Sequence, residues 1–92
     1  MDKAKTPITF SDFEVARVEV LEAVLAERER QDALWGDQKE HSDAWWNVIA
    51  GEENGEVARA VYEQNVPQVY LEIIQSCAVY FAWAEAILRR AK

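Results

Sequence analysis

Apolar residues recur at helical spacing along most of the chain, and the points where that rhythm breaks divide it into three segments. Ser11, with Glu14 three residues on and Phe10 before it, forms a capping box. Phe13, Ala16, Val20 and Val24 then follow one another every three or four residues, which predicts a first helix from about Ser11 to about Leu34. Trp35-Gly36-Asp37-Gln38 ends it, Gly36 being suited to a left-handed cap. A second helix is predicted from Ser42 or Asp43, either of which can cap it, to about Gln64, before Pro67 blocks continuation. The third begins around Pro67, a favourable first-turn residue, and ends in Arg89, Arg90 and Lys92, whose charges suit the negative end of the helix dipole. The chain therefore reads as all-α. The second and third helices form an antiparallel hairpin, joined by an N-terminal helix, in one domain over residues 1–92 with an arm over residues 1–10.

The second helix carries the chemistry. At about 100° per residue, Trp46, Ile49, Val57, Ala60 and Val61 trace its apolar arc, and Glu53 projects into the middle of that arc. Glu52 and Glu56 lie at its edge. Carboxylates this close repel one another and resist desolvation unless something positive neutralises them. The third helix adds Glu72 and Gln75, a polar pair at i and i+3 in an otherwise apolar stretch, and antiparallel packing lets them face the same patch. Oxygen ligands without Cys or His suit magnesium, or manganese, rather than zinc. A di-iron bundle site would need Glu-x-x-His pairs, and His41, the one histidine, lies outside both helices. The bland alternative is that these glutamates decorate a solvated stripe, a fair reading for Glu52 alone but a poor one for Glu53, Glu56 and Glu72 together.

Composition narrows the partners. Seventeen acidic residues against ten basic give a net charge of −7, the wrong sign for a nucleic-acid surface, so no nucleic acid is expected. An anionic small molecule would need a bridging cation. Cys77 is the single cysteine, sits in an apolar run and reads as core filler. The run from Val69 to Leu88 is long and apolar enough to raise a membrane span, but Glu72, Gln75, Ser76 and Glu85 inside it argue against lipid contact, so no membrane association is expected. Met1 to Pro7 lacks the basic-then-apolar plan of a signal peptide, which points to the cytoplasm. A chain of this size buries a modest core alone, and the third helix is apolar around nearly its whole circumference. A homodimer or homotetramer completing a four-helix-bundle core is expected.

Glu52-Glu53-Asn54-Gly55-Glu56, followed further on by Glu72-Ile73-Ile74-Gln75, resembles the EExxE and ExxD pair of the MazG-like all-α nucleoside triphosphate pyrophosphohydrolases. The stretch with Glu29-Arg30-Gln31, Trp35-Gly36-Asp37-Gln38, His41, Asp43 and Trp45 is similar to the short members of that family from phages and mobile elements. The departure is Gln75, which stands where the family motif has Asp. The resemblance implies magnesium-dependent conversion of a (deoxy)nucleoside triphosphate to the monophosphate and pyrophosphate, a house-cleaning activity. It implies Glu53, Glu56 and Glu72 as metal ligands with Gln75 at the fourth position. Glu52 would be a supporting acid behind them, and Glu56 the group that orients or deprotonates the attacking water.

For the nucleotide, Trp35 is the best stacking candidate, with Gln38 able to read a base edge and Lys39 or His41 able to touch phosphate. Of Trp45 and Trp46, at least one is expected in the core, as is Trp83. Arg28 and Arg30 are open between phosphate contacts and pairing with Glu27 or Asp32. The whole charge run Glu27 to Asp32 reads by default as a solvated face. Two other classes of function compete with the enzyme: a module that binds metal and nucleotide without turnover, and a purely structural helical dimer.

Overall fold

The computed structural model describes residues 11–38 and 40–91. The N-terminal arm with Phe10, and Lys39 and Lys92, lie outside these. Three helices, α1 (Asp12–Trp35), α2 (Asp43–Tyr62) and α3 (Val66–Arg90), make up the fold, with no strand among the described residues. Their ends follow from local chemistry. The Ser11 hydroxyl accepts from the Glu14 amide while the Glu14 carboxylate accepts from the Ser11 amide, both at 3.1 Å, completing the capping box. Gly36 closes α1 at φ 70°, and its amide donates to the Asp32 carbonyl. Its ψ of −158° is extended, so the positive φ is as expected but the left-handed helical conformation is not adopted. Ser42 caps α2 through the Trp45 amide at 3.1 Å.

The α2–α3 turn is a Schellman motif. The Asn65 amide reaches back to the Ala60 carbonyl and the Gln64 amide to that of Val61, with Gln64 at φ 57° in the position that glycine normally takes. Asn65 then caps α3, its Oδ1 accepting from the Gln68 amide at 3.2 Å. This tight connection fixes the antiparallel register of α2 and α3.

Helix α3 is central. It runs antiparallel to α2 and roughly parallel to α1, packing on both, whereas α1 and α2 do not pack on each other. Two small cores result: Trp46, Ala50, Val79 and Ala86 between α2 and α3, and Val24, Ile74 and Ala78 between α1 and α3. Trp46 is the tryptophan of its pair that enters the core, at 2% exposure. Trp83 is half-buried rather than core, packing on the edge of that cluster while its indole N–H donates to Asp43 at 2.9 Å. Val61, placed on the apolar arc by its spacing, is instead 57% exposed, one residue before the end of α2 at Tyr62. The most apolar stretch of α3, with a mean hydropathy of 1.4, is long enough to cross a membrane, and a third of it is covered by the other two helices.

Candidate functional site

Where α2 and α3 face each other near their connection, Glu53 and Glu56, one turn apart on α2, meet Glu72 on α3. One oxygen from each carboxylate lies within 4.8 Å of the others. Glu53 and Glu72 are half-buried and Glu56 is exposed, so the cluster opens to solvent on one side. Gln68 Nε2 donates to Glu72 Oε2 at 2.7 Å, while Glu72 Oε1 is buried without a hydrogen-bond partner. A buried carboxylate oxygen left unpaired is costly unless a cation or donor completes it.

Burial and then the charges of Glu56 and Glu72 push the Glu53 carboxyl from its ordinary 4.5 up to about 7, with a hydrogen bond to Glu56 and the charge of Glu27 adding to the effect. A raised carboxyl pKa means that the folded state holds the proton more tightly than the unfolded chain. The stabilisation is therefore present below about pH 4.5 and is lost as pH rises through about 7. In metal-free solution, Glu53→Gln is expected to stabilise the protein more at pH 8 than at pH 5.5, by about 1 kcal/mol. The partial exposure of the group keeps this below what the full shift would give. Thermal melts of both proteins at the two pH values check this, and a pH-independent difference would mean that Glu53 is not held protonated by its neighbours.

Glu27 on α1 also faces this patch. It follows Val24 and precedes Gln31, 5% exposed, on the α1 stripe turned toward α3. Its side chain is 11% exposed, held by Arg30 through Nε at 2.8 Å and Nη2 at 2.6 Å, and by Gln31 at 3.2 Å. The hydrogen bonds from Arg30 outweigh burial and keep the Glu27 carboxyl below the ordinary range. The charge run is thus not a solvated face at this point, and Glu27 is the acid that its reading as one leaves out.

An apolar groove of about 350 Å³ opens where α1 and α2 diverge, with Trp35, Gln38, His41, Trp45 and Trp46 among its walls. His41 sits edge-on to both Trp45 and Trp46, at centroid distances of 6.4 and 5.2 Å. Trp35 is 56% exposed and Trp45 51%, so about half of each residue remains accessible at the groove. Ile49 and Gln31 also line the groove, and each lies one helical turn from an acid of the patch, Glu53 and Glu27 respectively. The loop carrying these residues is tied to the end of α3. Arg89 holds Asp37 at 2.6 and 3.0 Å, and Arg90 holds Asp43 at 2.9 Å.

The remaining expected site residues fall elsewhere. Glu52 is exposed and outside the three-carboxylate group. Gln75 is half-buried one turn beyond Glu72 and makes no hydrogen bond among the described residues. Arg28 is taken up by Asp32 at 2.9 Å and Glu85 at 2.6 Å. Burial acts to lower its pKa, yet these two carboxylates raise it overall, and it lines a separate cavity of about 300 Å³ with Arg89. Its long-range partner, Glu85, draws it away from the groove. No family model, curated protein or solved structure matches the chain.

Proposed function

We propose that the chain is a magnesium-dependent nucleoside triphosphate pyrophosphohydrolase of the MazG-like type, acting on (deoxy)nucleoside triphosphates. The single observation that carries the reading is the meeting of Glu53, Glu56 and Glu72 from two helices, with a buried, unpaired oxygen on Glu72. The donor set fits a hard divalent cation: all-oxygen, anionic and open on one side. Glu53, Glu56 and Glu72 would hold the ion, and the family resemblance gives Gln75, one turn beyond Glu72, the fourth position. Magnesium, when bound, would offset negative charge on the phosphates and on the leaving group.

The protein's own residues supply the rest. Glu56, the exposed member, would orient a water and accept its proton as the oxygen attacks the α-phosphorus. The α–β phosphoanhydride bond breaks and pyrophosphate leaves with the bonding electron pair. The base stacks in the groove between Trp35 and Trp45, where Gln38 and His41 supply polar contacts. Replacing Trp35 by Ala is expected to raise KM about tenfold with little change in kcat, because stacking away from the reacting phosphorus is uniform binding. A folded Trp35→Ala protein with wild-type KM would remove the groove from the site. The reading as a whole is tested by incubating the protein with a panel of ordinary and modified nucleoside triphosphates and magnesium. Pyrophosphate and monophosphate in equal amounts are expected, whereas a nucleotide that binds without turnover would make the chain a binding module.

The same reading includes a second copy of the chain. Tyr70, Ile73, Cys77, Tyr80, Ala84 and Ile87 follow the alternating three- and four-residue spacing of a coiled-coil seam. Ile73, Tyr80 and Ile87 remain 42–45% exposed. The described chain is also thin, 52 × 39 × 20 Å, with a radius of gyration of 16.7 Å. A closed domain of this length would have a radius of about 12 Å. A dimer or tetramer that pairs this face of α3 closes the bundle, and light scattering at micromolar concentration is expected to give at least twice the chain mass. A monomer would show that the seam stays open.

A further inference from the structure

Beyond the carboxylates, toward the α2–α3 turn, lies a polar cleft of about 380 Å³ whose walls include Glu56, Arg59, Glu63, Asn65, Gln68 and Glu72. Two of the three clustered acids thus face it. Arg59 is the one described basic side chain with no partner. Arg17 lies over the Phe13 ring, Arg28 and Arg30 are held by Asp32, Glu85 and Glu27, and Arg89 and Arg90 are held by Asp37 and Asp43. An exposed guanidinium beside three carboxylates that nonetheless pairs with none of them is available to an incoming anion. The first turn of α3 adds the positive end of a long helix dipole at the same wall, through Asn65 and Gln68.

The register along α2 orders these features. Ile49 of the aromatic groove, Glu53 and Glu56 of the cluster, and Arg59 of the cleft follow each other over ten residues. That is about 15 Å of helix, roughly the reach of an extended nucleoside triphosphate. We propose that the Arg59 cleft is the subsite for the terminal diphosphate of the substrate, which leaves as pyrophosphate, so that the nucleotide lies along α2 with its base at the tryptophan groove. This rests on the phosphohydrolase reading and extends it with a direction. Glu56, Glu63 and Glu72 make the cleft anionic without metal, so the diphosphate enters as its magnesium complex. Arg59 binds the oxygens that the ion leaves free.

The test uses inorganic pyrophosphate with magnesium, magnesium alone, and a nucleoside monophosphate as calorimetric probes of the full chain. Arg59→Gln, an exposed change checked by its melting temperature, is expected to weaken magnesium-pyrophosphate binding by about tenfold or more. Magnesium alone and the monophosphate should bind as in the wild type, and Arg59→Lys should recover part of the loss. Equal pyrophosphate affinity in wild type and Arg59→Gln would overturn the subsite and leave the metal reading intact. Equal losses for monophosphate and pyrophosphate would overturn the direction of binding. A wild-type protein that binds neither magnesium nor its pyrophosphate complex would overturn both this proposal and the reading on which it rests.

Discussion

Replacing Glu53 by Gln is expected to reduce pyrophosphate release by about a hundredfold or more while leaving the fold intact. Glu53 is the acid of the cluster whose carboxyl is pushed up to about 7: burial and the charges of Glu56 and Glu72 act on it together. A cation bound there would reverse the direction of these effects, drawing the proton off and pairing the charge, so the ionised form is the one that matters for function. The amide keeps the shape of the side chain and can still offer an oxygen, but not the charge. Metal-free protein should therefore gain stability at neutral and higher pH from the same substitution that removes activity, the usual opposition between a stable site and a working one. Steady-state kinetics and melting curves on one preparation measure both. A variant that loses activity and stability in parallel would instead mark Glu53 as a structural residue.

Trp46→Ala is expected to unfold the protein at ambient temperature or lower its melting temperature by more than about 15 °C. The indole is 2% exposed and packs with Ala50, Val79 and Ala86, the larger of two very small cores. Truncating a buried Trp costs about 3–5 kcal/mol, against a total stability of about 5–15 kcal/mol for an ordinary domain. The neighbouring alanines cannot expand to fill the space. The indole N–H is buried without a partner, so Trp46→Phe loses no hydrogen bond and should cost far less. Circular dichroism melts of the two variants separate these outcomes. Equal losses would show that the N–H has an acceptor in solution, whereas a mild Trp46→Ala would mean that the groove wall collapses onto α3.

Much of this was legible in residue patterns because the signals were local. Ser11, Ser42 and Gly36 announce helix ends through bonds to residues three or four away, and those bonds form. The acid cluster was legible for a different reason: Glu53 interrupts an apolar arc, and a three-residue connection leaves α3 little choice but to return along α2. What could not be read was long-range. Arg28 looks available on α1 until Glu85, on another helix, comes within 2.6 Å. Glu27 was hidden by its neighbours, since charges at nearly every position of a run disguise the one that faces inward. Its spacing from Val24 and Gln31 was a usable sign, as was Ala50, 1% exposed, which small size concealed among larger apolar residues. Glu52 is exposed and outside the group although it lies one turn from Glu56, because it is turned about 100° from Glu53, the acid that enters the apolar arc.

The measurement that bears most directly on the central claim is the melting temperature of the wild-type chain at pH 8, in chelator and in about 10 mM magnesium. A cation that binds the folded cluster with a dissociation constant of about 1 mM stabilises it by about 1.4 kcal/mol, or about 7 °C for a domain of this size. An upward shift of that order is expected, diminishing as pH falls through about 7, where Glu53 takes up its proton, and absent in Glu53→Gln. Superimposable melting curves in chelator and magnesium would contradict it, because three carboxylates gathered around one point would then have no affinity for the ion that their arrangement is proposed to serve.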